Sequence, residues 1–306
     1  MAILGETMKI EQIETFLMIT QTKNLSIAGK KLFISQSAVS HRIRTLEERL
    51  GCELLIRARG EKFVSLTQKG EEFIGIATRW KALWEETKLW KLQESKMNLR
   101  VASIDSLNTC VFSSFYKDFI NSNNAISLNV GSHWSKTIYE LIESHDIDMG
   151  FTINSLKYPN AITKPLFKSR GVVISSKSSK YTNEIHPHDL KASDEILFSY
   201  IPEYESWHNL WWESNQNEYS SVDTVSLLFT IFDLDEKWAI VPIWIARVFE
   251  KIHPVKISEL SVPPPEYSCY QVSNRYPKPS KIKSIEKFSV ALEEYMEKDL
   301  FLSRIK

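Results

Sequence analysis

Between Ile10 and Leu50 apolar residues return every three or four positions, in three runs broken at Lys23-Asn24 and at Phe33-Ile34. That spacing fits helices and not strands. The first run, Met8 to Thr22, places Ile10, Ile13, Phe16, Leu17 and Thr20 on one face. Ser26 can cap a short second helix, Ile27–Leu32, by accepting a backbone N–H bond. Ala28 and Gly29 within it are small enough to let another helix approach closely. Ser35 can cap a third helix, in which Val39, Ile43, Leu46 and Leu50 form a buried stripe with 4-3-4 spacing.

The other side of this third helix is polar. Gln36, Ser37, Ser40, His41 and Arg44 face outward, at the end where a helix also offers free N–H groups and a positive dipole. Two short helices joined by a turn, the second presenting such an end, make a helix-turn-helix, whose tip reaches base edges in the major groove of DNA. Gln can pair with adenine through two hydrogen bonds, and Ser can take either partner. Glu53–Ile56 and Lys62–Leu66 read as two short strands around Arg57-Ala58-Arg59-Gly60. Such a wing puts Arg57 and Arg59 near phosphates. The charge agrees: the whole chain has 38 basic and 38 acidic residues, whereas residues 8–70 hold 11 and 6, a net of +5. The competing reading is a small helical bundle with a solvated polar face. The order of cap, stripe, polar tip and basic hairpin favours DNA.

Thr67 can cap a long helix with Glu71 and Glu72 in its first turn. Along it Phe73, Ile76, Trp80, Leu83, Thr87 and Trp90 alternate by three and four, a seam that calls for a partner helix. The alternative is packing on the chain's own C-terminal part. After Gln93-Glu94-Ser95 strands alternate with helices. Strands are expected at 98–103, 127–131, 147–153, 171–175, 195–200, 238–242 and 269–273. Helices are expected at 108–121, 134–144, 205–213, 223–232 and 280–297. This alternation indicates an α/β domain with mostly parallel sheets. Ligands of such sheets sit beyond the carboxyl ends of the strands. That rule selects Ser103, Ser106, Asn108 and Thr109, then Ser132, His133 and Trp134, then Thr152 and Asn154, and later Ser199 and Tyr200.

The run "NLSIAGKKLFISQSAVSHRIRTLEERLGCELLIRARGEKFVSLTQKG" resembles the winged helix-turn-helix of the LysR-type transcriptional regulators over about residues 8–70. The resemblance implies an α+β multidomain chain. It would have a winged helix-turn-helix at 8–66, a dimerising linker helix at 67–94, and an effector-binding α/β domain at 95–306. That last part would be of periplasmic-binding-protein type, with one subdomain from 95–162 and 274–306 and the other from 163–273. Family contacts to bases and phosphates fall on Gln36, Ser37, Ser40, Arg42 and Arg57. Cleft positions fall on Ser103, Ser106, Thr109, Ser132, Ser199, Asp223 and Thr224.

The resemblance further implies a dimer or tetramer on a roughly palindromic promoter site, a small-molecule effector, and contact with RNA polymerase. Ser37 stands where the family usually has proline, which the first helical turn tolerates. His41 stands where arginine is common, implying a weaker or pH-dependent contact. The run "DLDEKWAIVP" replaces the family's Gly-x-Gly, and Trp238 is expected to narrow the pocket.

Other function classes find little support. The sequence has no G-x-S-x-G, no H-E-x-x-H and no phosphate-cradling glycine loop. No catalytic residue, metal site or cofactor is assigned. Cys52, Cys110 and Cys269 lack paired or metal-ligand spacing, although Cys110 in a helical first turn is a candidate redox sensor. His186 and His188 are weak metal candidates. Trp207, Leu210 and Trp211 read as one core-facing helical face, and His133-Trp134 as a rim or a site for a planar ligand. No apolar segment reaches 18 residues and no leader is visible, so a cytoplasmic location is expected. Two alternatives remain: a regulator whose cleft is closed by its own side chains, and a cytoplasmic solute-binding protein with a dimerisation module.

Overall fold

The three apolar runs fold as α1 (Ile10–Thr22), α2 (Leu25–Leu32) and α3 (Gln36–Leu50) of the computed structural model. Described are residues 8–56, 64–90, 97–198, 201–212, 220–232 and 237–297, with the backbone of 303–304; the side chains of Leu89 and Trp90 are excepted. The chain forms two compact units. One comprises Met1–Ser95 with the stretches Glu143–His145 and Tyr276–Ser280, and the other holds the rest.

In the first unit Ile13, Phe16, Ile19, Val39, Ile43 and Leu46 are buried together. The cap of α2 is Asn24, whose side chain accepts from the backbone N–H groups of Ser26 and Ile27. Ser26, expected as the cap, therefore lies inside the first turn with its hydroxyl uncommitted to the helix end. Ser35 caps α3 as expected, accepting from Ala38 N, and Gly51 ends the helix in the left-handed region at φ 67°. The antiparallel pair β1 (Leu55–Ile56) and β2 (Ser65–Leu66) forms the base of the wing. Glu47 of α3 anchors it, its Oε1 accepting from the backbone N–H groups of Leu54 and Leu55. Arg57 and Arg59 lie outside the described residues.

Thr67 caps α4 (Gln68–Trp90), its Oγ1 accepting from Gly70 N. Gly70 permits close approach to the wing: a Cβ there would lie 2.2 Å from the Leu54 carbonyl oxygen. The seam expected along α4 is divided between two faces. Phe73 is buried with its ring 5.3 Å from that of Phe16, and Trp80 packs half-buried against the same core. Ile76 and Leu83 are 46% and 51% exposed, and Trp84 is also exposed.

The second unit contains two main sheets. The larger has the order β14-β6-β13-β5-β3-β4, from β3 (Met97–Ser103), β4 (Ile126–Ser132), β5 (Met149–Thr152), β6 (Ala161–Ser169), β13 (Tyr267–Asn274) and β14 (Ser303–Arg304). The smaller has the order β11-β7-β12-β8, from β7 (Gly171–Ser176), β8 (Glu184–Ile185), β11 (Trp238–Pro242) and β12 (Val255–Leu260). The pair β9 (Ile196–Leu197) and β10 (Ser220–Ser221) is parallel.

Helices α5 (Asp105–Leu107), α6 (Ser113–Ser122), α7 (Ser135–Glu143), α8 (Pro202–Trp211), α9 (Val225–Ile231), α10 (Ile243–Ile252) and α11 (Ile282–Met296) complete the chain. A π-helical turn, Asn108–Phe112, joins α5 to α6.

The sequence pattern leads one to expect mostly parallel sheets, and the sheets are mixed. β3 pairs parallel with β4 and β5, but β13 runs antiparallel to β5 and β6, and β7 antiparallel to β11 and β12. The cause is that β6 leads directly into β7 and β12 back into β13, with no helical crossover between them. Strands 161–169 and 267–274 thus both belong to the larger sheet. The chain changes sheet near Arg170 and again between Leu260 and Tyr267, not at 162/163 and 273/274.

Replacing Phe73 with Ala empties a ring site in the core of the first unit, at an expected cost of about 3–5 kcal/mol. Chemical denaturation checks it; a cost below about 1 kcal/mol would mean that Phe73 belongs to an exposed seam instead.

Candidate nucleic-acid interface and ligand cleft

α3 buries Val39, Ile43 and Leu46 and leaves its N-terminal end in solvent. Gln36, Ser37, His41 and Arg44 are exposed, and Ser40 is half-buried. The Ser37 hydroxyl lies 2.8 Å from that of the cap Ser35. The Ser26 hydroxyl donates to Gln36 Oε1 at 2.9 Å. Arg42 turns the other way: its Nη1 donates to Thr15 Oγ1 of α1 at 3.3 Å, and the residue is half-buried. The exposed set therefore combines a donor-acceptor amide, hydroxyls, an imidazole and a guanidinium at a positive helix end, a chemistry suited to bases and phosphates.

In the second unit the strand-exit residues fall into two groups. Ser103 and Ser106 are buried, and their hydroxyls have no hydrogen-bond partner among the described residues. Thr109 is half-buried in the π-helical turn. Asn108 is internally committed. Its Nδ2 donates to the Gly131 carbonyl and to Ser132 Oγ at 3.0 and 2.9 Å, and its Oδ1 accepts from the Tyr116 hydroxyl at 2.9 Å. It thus ties the end of β4 to the helix and positions Ser132. Ser132, His133 and Trp134 are exposed, Trp134 by 56%. Thr152 is buried and donates to the Asn154 carbonyl. Thr224 caps α9, and Asp223 before it is exposed. Ser199 and Tyr200 lie outside the described residues.

One residue at the strand exits escaped the sequence reading. Asp105, just after β3, accepts from the backbone N–H of Val225 through Oδ2 at 2.9 Å. Val225 opens α9, so a carboxylate sits on an amide that has no partner within the helix. The bond joins residues 120 positions apart, beyond what local pattern reveals.

The secondary candidates change accordingly. Burial pushes the Cys110 thiol up to about 12, with the Asp105 charge adding to the effect. A thiol so disposed is a poor redox sensor. Burial likewise pushes the Cys269 thiol up. Leu210 is 78% exposed, so the expected core face of α8 holds only Trp207 and, half-buried, Trp211. His186 and His188 stack on each other and meet the Trp211 ring edge-on. Among the described residues no group of three His, Cys, Asp or Glu could hold a metal ion. Trp238 is fully buried in the smaller subdomain, its ring 5.3 Å from that of Trp212 and its Nε1 donating to the Lys191 carbonyl. A groove of about 490 Å³ beside β12 and α10 has its charges largely paired, Arg170 with Glu259 and Arg247 with Glu250.

Comparison with known proteins gives this geometry a family. Residues 10–71 match the model of the bacterial regulatory helix-turn-helix protein, lysR family, and residues 93–280 match the LysR substrate binding domain. The chain belongs to the LysR family of transcriptional regulators. Members of this family are not enzymes.

Regulatory protein NocR of Agrobacterium fabrum is 26% identical over 192 residues, covering 61% of this chain and 64% of that protein. The match thus spans under two thirds of the relative's length. The HTH-type transcriptional regulator HdfR of Escherichia coli O139:H28 is 34% identical over 91 residues, 30% of this chain and 32% of that protein. A full-length OxyR variant from Pseudomonas aeruginosa shares the fold with TM-score 0.62 at 13% identity, covering 99% of each chain. Full-length LysG from Corynebacterium glutamicum does so with TM-score 0.60 at 17% identity, over 95% of this chain and 99% of that one.

If burial raises the Cys110 thiol as described, a thiol reagent at pH 8 labels half-buried Cys52 in the native protein and spares Cys110 and Cys269. Mass-spectrometric mapping of the labelled sites checks this; early labelling at Cys110 would restore the sensor reading.

Proposed function

We propose that this LysR-family chain reads promoter DNA through α3 and adjusts that reading to a small molecule held between its two α/β subdomains. The carrying observation is the solvent-exposed polar end of α3 on a helix whose other face is fully buried. Gln36, Ser37 and Ser40 meet base edges, while His41, Arg44, Arg57 and Arg59 meet phosphates. Arg42, bonded to Thr15, holds the helix on α1 and acts from behind. In support, a solved relative of the same fold, CbnR, is described in complex with its target DNA, with TM-score 0.51 at 16% identity over 94% of this chain.

The working division is a DNA-binding domain at 8–66, a linker helix at 67–94 and a regulatory domain at 95–306. Two copies pair along α4 through Ile76 and Leu83, with Trp84 added and Phe73 and Trp80 largely retained by the chain's own core. A pair of recognition helices one helical turn apart then requires a roughly palindromic site. Assembly to a tetramer and contact with RNA polymerase complete the reading, which places the protein in the cytoplasm. No described helix is long and apolar enough to cross a membrane.

The effector reading rests on the buried hydroxyls of Ser103 and Ser106, which have no hydrogen-bond partner among the described residues, with Thr109, Ser132, Asp223 and Thr224 as further ligand contacts. The described full-length LysG carries bound effector Arg, which supports a ligand in this fold. A second reading has its own observation. Asp105 bonds across to α9, and Ser103 and Ser106 are shut from solvent, as in a cleft closed by its own side chains. Thermal unfolding against a metabolite panel separates the two. An effector at 100 times its Kd adds about 2.7 kcal/mol, and the gain is expected to vanish in Ser106→Ala. No shift from any compound favours the closed cleft.

DNA reading is tested by letting the full chain select duplexes from a random pool. The expected product is a roughly palindromic motif. Gln36→Ala or Ser40→Ala each weakens selection at one base pair per half-site, by less than the roughly 1–3 kcal/mol of a two-bonded contact. Failure of the unsubstituted protein to enrich any motif would contradict the reading.

A further inference from the structure

Ser26 occupies the second position of α2 and is exposed, yet it is not spent on the helix end, because Asn24 takes both N-terminal amides. Its hydroxyl reaches ten residues along the chain to Gln36, the first residue of α3, and donates to Oε1 at 2.9 Å. This bond joins the starts of the two helices of the helix-turn-helix. In it the oxygen end of the Gln36 amide is turned to α2.

A glutamine reads adenine most selectively with both ends of its amide, the oxygen accepting from N6–H and the nitrogen donating to N7. Both ends must then turn to one base edge. With Oε1 drawn back toward α2, the end left for the groove is the Nε2 donor. Donors find acceptors on guanine (O6 and N7), on thymine (O4) and on adenine (N7).

We propose that Ser26 is a specificity-setting residue: by engaging one end of the Gln36 amide, it makes Gln36 a one-ended donor that tolerates several acceptor bases instead of a two-ended reader of adenine. The inference rests on Gln36 meeting a base edge, as proposed above. Ser26 itself touches no base; it acts through Gln36. The three-residue Ser35-Gln36-Ser37 segment contributes no rival partner, since the Ser35 and Ser37 hydroxyls lie 2.8 Å from each other and Ser35 also accepts from Ala38 N.

The test is duplex selection with the full-length protein, its Ser26→Ala variant, Gln36→Ala and the double variant. Ala is a good helix former at an exposed position, and a thermal melt of each variant checks that the fold is kept. In Ser26→Ala the amide is released. Preference for adenine over guanine at one base pair per half-site is expected to rise on the order of tenfold. In the Gln36→Ala background the same Ser26→Ala change is expected to shift no base preference, which separates an effect through Gln36 from a direct one.

Ser26→Thr, which keeps the hydroxyl, is expected to retain the original preference. An unchanged motif in Ser26→Ala would overturn the proposal. So would a uniform loss of affinity across all sequences with a shallower salt dependence, which would make Ser26 a phosphate contact. If the unsubstituted chain selects no motif at all, it is the DNA-reading function that fails, not the role of Ser26 within it.

Discussion

The burial of Val39, Ile43 and Leu46 of α3 against Ile13, Phe16 and Phe73 fixes which side of α3 the solvent sees. Each of these side chains is at most 6% exposed. Large-to-small changes in such cores cost several kcal/mol each, so rotation of α3 about its axis is strongly resisted. A helix pinned this way can present a short polar tip with fixed geometry, although the tip residues contribute little to stability themselves. Arg42 to Thr15 and Arg49 to Gln12 add polar ties from α3 to α1 on the rear of the helix. Glu47 ties the wing strands to the same helix. Recognition surface and wing thus share one support.

Much of the first unit was legible because its signals are local. The 4-3-4 stripe of α3, the Ser35 cap and the Thr67 cap depend on residues within one or two turns of each other. Asn24 outranks Ser26 as the α2 cap because it sits just outside the helix with extended backbone at φ −151° and reaches two amides. The seam of α4 looked continuous because Phe73, Ile76, Trp80 and Leu83 alternate correctly, but the periodicity does not say which covering surface each residue meets. Phe73 meets its own chain's core, and Ile76 meets solvent.

The second unit was legible in class and less so in topology. β6 contains Pro165, which weakens its reading as a strand. The structure accommodates it at an irregularity, where the pairing shifts from Cys269 opposite Phe167 to Tyr270 opposite Pro165. Helix α10, with strongly buried Ile243, Ile245, Ala246 and Phe249, directly follows a buried strand and blends into its apolar run. The bonds that tie the strand exits together are long in sequence: Asn108 to Gly131 and Ser132, and Asp105 to Val225. Strand-exit position found Asn108 but not its role, because a polar residue at such a place serves a ligand or its neighbours equally well. Asp105 gives the N-terminal amide of α9 a carboxylate partner from the end of β3.

The measurement that bears most directly on the account is competition binding of the full-length protein between its selected duplex and a shuffled one, across a range of salt. Phosphate contacts alone would weaken binding to both duplexes alike as salt rises. A pinned α3 reading base edges predicts that overall affinity falls with salt while preference for the selected duplex persists, on the order of a thousandfold or more. Equal affinity for the two duplexes at every salt concentration would contradict it.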